Sequence, residues 1–165
     1  MQTKYGKTRV KITDTKNKYE TYIIVNVISD VTVPQLKVED DFTLALKANG
    51  TVWAFGNGEN GKLGNGNEEN SNEPVQVIKE DKTELKNILD IGIGKNSGIA
   101  VNSNGEVYTF GKTISSSVDG EDTETVSNKA KKVDGLSNIC KVEAKDENYY
   151  AVDDLRKVIY MGQRI

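Results

Sequence analysis

Apolar and polar residues alternate in short stretches along this chain, or β-branched residues cluster, and each stretch closes on Gly, Asn or Asp. That pattern predicts short β-strands joined by turns. No helical period is sustained beyond about ten residues. The best helical candidate, "KEDKTELKNILDI" (79–91), puts Leu85, Ile88 and Leu89 on one side, but a strand entered from a polar loop explains it equally well. The expected class is all-β.

The strands recur in order. "TLALKANGTVWAFG" (43–56) aligns without a gap on "GIAVNSNGEVYTFG" (98–111). Asn49-Gly50 and Asn104-Gly105 are the pair preferred in two-residue type I′ hairpin turns, so each unit is expected to be an antiparallel hairpin. Feeder strands match as well: "VPQLKVE" (33–39) places Val33, Leu36 and Val38 on Ile88, Ile91 and Ile93 of "ILDIGIG" (88–94). A third, weaker copy has the feeder "ICKVEAK" (139–145) and the hairpin "YAVDDLRKVIYMG" (150–162). There Arg156 stands where glycine stood, which predicts a longer or strained turn. The expected repeats are 33–87, 88–138 and an incomplete 139–165. Residues 1–32 are set apart as a β-hairpin, with "KTRVKITDT" and "YETYIIVNVIS" flanking the polar turn "DTKNK". Two strands do not make an independent domain, so this hairpin docks on the repeats or ends an Ig-like domain.

Composition narrows the function. With 22 basic and 25 acidic residues the net charge is −3, which gives no attraction for nucleic acid or for an anionic membrane. No run of about 18 apolar residues is present for membrane insertion. The N-terminus lacks the apolar core of a secretory signal. The chain is therefore expected to be cytoplasmic if whole, and extracellular or at the cell surface if it is an excerpt of a longer protein. There is no histidine and one cysteine, Cys140, which removes Ser-His and Cys-His nucleophile pairs and a Cys-rich zinc site.

Several residues invite chemistry and are better read as structure. In "AFGNGENGKLGNG" (54–66), Gly56, Gly58, Gly61 and Lys62 fit two phosphate-loop patterns. Such loops must open a helix whose N-terminus receives the phosphate, and the polar, Gly- and Asn-rich run ending at Pro74 does not permit one. Leu63 also occupies the place of the magnesium-binding Ser/Thr. Trp53, Phe55, Tyr108 and Phe110 are expected to contribute one residue of each pair to the core and one to its boundary, with Tyr149 and Tyr150 partly exposed. "DGEDTE" (119–124) lacks the spacing of a calcium loop. Cys140 is expected to be a small buried hydrophobe. The adjacent pairs Asp40-Asp41 and Asp153-Asp154 point to opposite faces of a strand and cannot share acid–base work.

The repeat resembles that of the regulator of chromosome condensation family, whose members are seven-bladed β-propellers. The first copy carries the resemblance: Ala45-Leu46-Lys47, Asn49-Gly50, Val52-Trp53 and Phe55-Gly56, then "NGENGKLGNG" and "EPVQV" (73–77). The second keeps the hairpin and replaces the Gly-rich loop by "KTISSSVDGEDTET" (112–125); the third keeps only feeder and hairpin. Phe42 and Ser97 stand where family repeats commonly have histidine. The resemblance implies about two and a half propeller-type blades preceded by the hairpin, with the loop glycines turning the chain and Leu63 packed inward. Guanine-nucleotide exchange is not carried over, because its residues have no match here.

The expected function is a non-enzymatic repeat scaffold for protein–protein interaction, with no cofactor and no metal. Its partner is a protein or further copies of itself. The presenting loops run from Asn57 to Asn72 and from Lys112 to Thr125, with Asn57, Glu59, Asn60, Lys62, Glu68, Glu69, Asp119, Glu121 and Asp122 as candidate contacts. The alternative is a structural subunit or spacer of an extracellular assembly that self-associates through open sheet edges.

Overall fold

The computed structural model describes residues 6–14, 19–27, 32–116 and 122–162. Contacts divide the chain into a unit at Met1–Val31 and a larger one at Thr32–Ile165. In the first, β1 (Gly6–Asp14) and β2 (Tyr19–Val27) pair antiparallel, from Gly6 opposite Val27 to Asp14 opposite Tyr19. The turn "DTKNK" lies mostly outside the described residues.

The larger unit is three consecutive antiparallel sheets. Blade 1 has β3 (Gln35–Val38), β4 (Phe42–Leu46), β5 (Val52–Gly56) and β6 (Ser71–Gln76), hydrogen-bonded in that order. Blade 2 has β7 (Ile88–Gly94), β8 (Ser97–Asn102), β9 (Val107–Ser116) and β10 (Asp122–Lys132). Blade 3 has β11 (Ile139–Lys145), β12 (Asn148–Asp153) and β13 (Val158–Met161). The all-β, partial-propeller expectation holds. The stretch 79–91 contains no helix: Ile88 and Leu89 open β7, while Leu85 seals the core from a loop.

Period two along each strand gives every blade a front and a rear face. The register makes the blades equivalent residue by residue. On the front, Leu36–Ala45–Trp53 of blade 1 corresponds to Ile91–Ala100–Tyr108 of blade 2 and Val142–Ala151–Ile159 of blade 3. One core lies between the rear of blade 1 (Leu44, Leu46, Val52, Ala54) and the front of blade 2 (Ile91, Ala100, Phe110). The second lies between the rear of blade 2 (Ile99, Val101, Val107) and the front of blade 3 (Val142, Tyr149, Ala151). Burying these side chains against each other stabilises the stack, since one sheet alone leaves both faces wet.

The hairpin turns correct one expectation. Gly50 N–H donates to Lys47 O at 2.9 Å, and Lys47 N–H donates to Thr51 O at 2.9 Å. Gly50 has φ +75°, whereas Asn49 is not among the positive-φ residues. This is a three-residue loop, a type I turn followed by a left-handed residue, rather than a two-residue type I′ turn. Gly105 repeats it with φ +74°. Blade 3 uses the same turn: Arg156 N–H donates to Asp153 O at 3.0 Å, with φ +66°. Losing the glycine therefore leaves loop length unchanged and puts an arginine in a left-handed conformation. Asp153 Oδ1 accepts the N–H groups of Leu155 and Lys157 at 3.0 and 2.8 Å, as Asn102 Oδ1 accepts those of Asn104 and Glu106 in blade 2.

Three burial expectations change as well. Cys140 is exposed beside a bulge between Ile139 and Lys141, and Leu89, its counterpart in β7, is also exposed. In both feeder strands the position beside the bulge faces outward. Tyr149 is buried and shares a 2.6 Å hydrogen bond with Ser97, while Tyr150 is exposed. Trp53 and Phe55, two residues apart, share one face, and both are half-buried. Their equivalents Tyr108 and Phe110 pack into the core, so blade position rather than strand parity separates the aromatic residues.

Candidate protein-binding loops

The loop leaving β5 is shaped by the need to satisfy its backbone in a tight space. Asn57 N–H donates to Asp41 O at 2.8 Å, and Asn57 Nδ2 donates to Asp41 Oδ2 at 2.9 Å. Asn57 Oδ1 accepts Glu59 N–H at 2.8 Å, and Asn70 Oδ1 accepts Gly58 N–H at 2.9 Å, which draws the two ends of the loop together. A single 3₁₀ turn follows at Glu59–Gly61, with Asn60 at φ +60°. That turn is too short to act as a phosphate-receiving helix.

From Gly61 the loop turns into the protein. A Cβ at Gly61, whose φ is +70°, would lie 2.5 Å from Asn128 Cα of β10. Only glycine satisfies both that conformation and that approach. Leu63 is fully buried in the first core, as the resemblance implied. Gly66 N–H donates to Asn128 O at 2.7 Å, and Asn65 bridges to Lys129. Ala130 N–H donates to Ile78 O at 2.8 Å. The loop of blade 1 is thus sewn to the outermost strand of blade 2, and it sets the spacing of the two blades.

Lys62 corrects the expectation of an exposed contact: its side chain is 2% exposed. Its ammonium donates to Asp41 Oδ1 and Oδ2 at 2.9 and 2.7 Å and lies 5.3 Å from the centre of the Phe42 ring. An ammonium cannot stay charged inside a protein without such partners, so Lys62 is an internal strut. Glu59, Glu68 and Glu69 are exposed, and Asn57 and Asn60 are half-buried. No ion pair among the described residues uses the three glutamates. The accessible part of the loop is therefore acidic.

The second expected loop is mostly strand. "KTISS" and "DTETV" alternate β-branched and polar residues, and β9 and β10 continue as a paired ribbon from Lys112 opposite Val126 to Ser116 opposite Asp122. Lys112 pairs with Glu124 at 2.6 Å, which holds the ammonium above the usual lysine range. Asp119 and Glu121 lie outside the described residues, and of Asp122 only the backbone is described. The two candidate groups of acids are not brought together by anything among the described residues.

Two charged residues that sequence reasoning passed over organise the joints. Asp90, buried in β7, accepts Gln35 Nε2 of blade 1 at 2.8 Å and Val142 N–H of blade 3 at 3.0 Å. One carboxylate thereby ties three blades, and an acid set among isoleucines in "ILDIGIG" was the available signal. Lys37 crosses to Glu143 at 2.6 Å, beside a cavity of about 330 Å³ lined also by Gln35, Asp90 and Lys141. Glu106 is held well below the usual carboxylate range, to about 2, by hydrogen bonds from Lys132 first, then Asn102 and Tyr108. These carboxylates accept hydrogen bonds from side chains and backbone of neighbouring strands. Among the described residues no group of three potential metal ligands occurs.

Comparison with known proteins agrees with this geometry. Residues 49–101, from the first hairpin turn through β8, match the Regulator of chromosome condensation (RCC1) repeat. Protein pim1 of Schizosaccharomyces pombe is 27% identical over 135 residues, covering 78% of this chain and 25% of its own length. The human E3 ubiquitin-protein ligase HERC2 is 34% identical over 73 residues, covering 44% of this chain and 1% of its own. The chain thus spans a quarter or less of these relatives. Among solved structures, human WBSCR16 superposes with a TM-score of 0.67 at 16% identity, over 92% of this chain and 38% of that one. Prp20p of Saccharomyces cerevisiae gives 0.58 at 15% identity, over 89% of this chain and 36% of that one. The chain is therefore similar to the RCC1 repeat over residues 49–101, and its fold is that of consecutive blades of the propeller.

Proposed function

We propose that the chain is a non-enzymatic protein-binding scaffold that recognises its partner through the acidic rim of the first loop. The observation that carries the reading is the way this loop is held. Hydrogen bonds to Asp41 at one end and to Asn128 at the other fix it against two blades, while Glu59, Glu68 and Glu69 stay exposed. A preorganised loop loses little entropy on binding, and a row of carboxylates selects a basic protein surface and speeds its encounter. Prp20p, of the same fold, is described by its binding to Gsp1p and histones, which supports protein partners for blades of this kind.

The test replaces Glu59, Glu68 and Glu69 together by lysine. Recovery of bound proteins from a lysate of the source cells is then compared with wild type by quantitative mass spectrometry. The reading expects basic partners to fall by about tenfold or more, and to elute with salt, because such contacts are screened. An unchanged set of partners would reject it.

A further inference from the structure

Five Asn-Gly pairs stand in the chain, beginning at Asn49, Asn57, Asn60, Asn65 and Asn104. In such a pair the glycine nitrogen, with no side chain beside it, can attack the asparagine side-chain carbonyl. The sequence makes the five pairs alike, and the fold separates them. It does not do so through the nitrogen, whose hydrogen is bonded in every pair. Gly50 donates to Lys47 O, Gly61 to Gly58 O, Gly66 to Asn128 O and Gly105 to Asn102 O, at 2.7–3.0 Å, and Gly58 donates to Asn70 Oδ1 at 2.9 Å. The side-chain amides differ. Asn49 Oδ1 accepts both the N–H and the hydroxyl of Thr51, at 3.2 and 2.7 Å. Asn57 is held at both ends of its amide by Asp41 and Glu59, and Asn65 Oδ1 accepts Asn67 N–H at 3.4 Å. Asn60 is half-buried, and the glycine after it is pressed against Asn128. Asn104 alone is exposed with an amide that has no hydrogen bond among the described residues.

We propose that Asn104-Gly105 is a modification site, where the folded chain loses an amide without an enzyme. Gly105 N gives up its proton to solvent base and bonds to Asn104 Cγ. The side-chain nitrogen leaves as ammonia, and the two residues are joined in a cyclic imide. Water then adds to either imide carbonyl, the C–N bond reopens with its proton restored, and an aspartyl or isoaspartyl linkage remains. One water is consumed, one ammonia is released and nothing is oxidised. Reaction requires the side chain to turn back over the following nitrogen, so each hydrogen bond that must break first slows it about fivefold. That favours Asn104 over Asn49 and Asn57. The product changes the fold locally. It puts a carboxylate into a polar depression of about 200 Å³ that Lys86 and Glu106 also line. The isoaspartyl form lengthens the backbone of a three-residue turn whose Gly105 O accepts Ile139 N–H of blade 3 at 3.4 Å. This goes beyond the acidic-loop reading, since the three pairs of that loop are among the protected ones.

The full chain is incubated folded and, in parallel, unfolded in urea, in the same mildly alkaline buffer. Peptide mapping by mass spectrometry follows conversion at each of the five asparagines, and enzymatic isoaspartate methylation counts the rearranged product. In the folded chain Asn104 is expected to convert about fivefold or more faster than Asn49 and Asn57, and ahead of Asn60 and Asn65. In urea that lead should vanish, because only the sequence is left. Thr51→Val removes one bond to Asn49 and should speed conversion there about fivefold, with the rate at Asn104 unmoved. A different asparagine leading in the folded chain overturns the proposal. So do an equal lead in urea and a Thr51→Val variant that leaves the rate at Asn49 unchanged. None of these outcomes bears on the charge-reversal experiment, so the two readings fail separately.

Discussion

Removing the carboxylate of Asp41 tests whether the first loop is held by a buried charge. Lys62 is 2% exposed, and its ammonium sits 2.9 and 2.7 Å from the two Asp41 oxygens. Breaking a fully buried pair by deleting one partner costs about 3–5 kcal/mol, because the remaining charge is left in a low dielectric. Asp41 is itself 45% exposed, so water can enter the gap, and about 2 kcal/mol is expected for Asp41→Ala. Lys62→Met keeps the aliphatic stem against Phe42 and removes the charge, so it should change stability by less than about 0.5 kcal/mol. In the Lys62→Met background, Asp41→Ala should lose only its contact with Asn57 Nδ2, about 0.5 kcal/mol. The coupling in this double-mutant cycle is therefore about 1.5 kcal/mol. Urea unfolding followed by Trp53 emission measures each corner, and the single Asp41→Ala variant should melt roughly 4–8 °C lower. Equal costs for Asp41→Ala with and without the Lys62→Met change would refute the strut. A cost within about 0.5 kcal/mol of wild type would refute it too.

Arg156 carries conformational strain in a turn where the other two blades have glycine, so Arg156→Gly should stabilise the third hairpin by about 0.5–1 kcal/mol, while Gly105→Ala should cost more than that, because its Cβ would also lie 2.9 Å from the backbone of Asn138 and Ile139; equilibrium unfolding reads both. Glu106, lowered to about 2 from an ordinary 4.5, contributes stability that is complete above about pH 4.5 and is lost as the pH falls toward 2. Because the side chain is about a third exposed, the amount is discounted to about 1 kcal/mol. Glu106→Gln should flatten the acid limb of the stability profile over that window, and an unchanged limb would show that the carboxylate is not held as the geometry requires.

What could be read from the sequence was whatever repeats, because a repeat states the same physical requirement twice. Ile91 and Ile93 matched Leu36 and Val38 in the sequence, so the strand order, the hairpins and the blade equivalence were all legible there. What could not be read depends on which side of the repeat has a neighbour. Leu36 and Ile91 are the same position by pattern, yet one faces solvent and the other a core, and periodicity carries no information about position in a stack. The same limit hid the role of the Gly-rich loop. The sequence reading set phosphate aside for want of a helix after these glycines, but it could not show what they meet: Asn128, remote in the chain, lies 2.5 Å from where a Cβ of Gly61 would sit. Lys62 looked like a surface lysine because lysine is almost always exposed; only the fold brings Asp41 to it. In this chain the exposed carboxylates of Glu59, Glu68 and Glu69 and the buried ammonium of Lys62 belong to one loop. The buried charge fixes the backbone from which the exposed ones project, so loss of the strut should weaken partner binding without touching a contact residue.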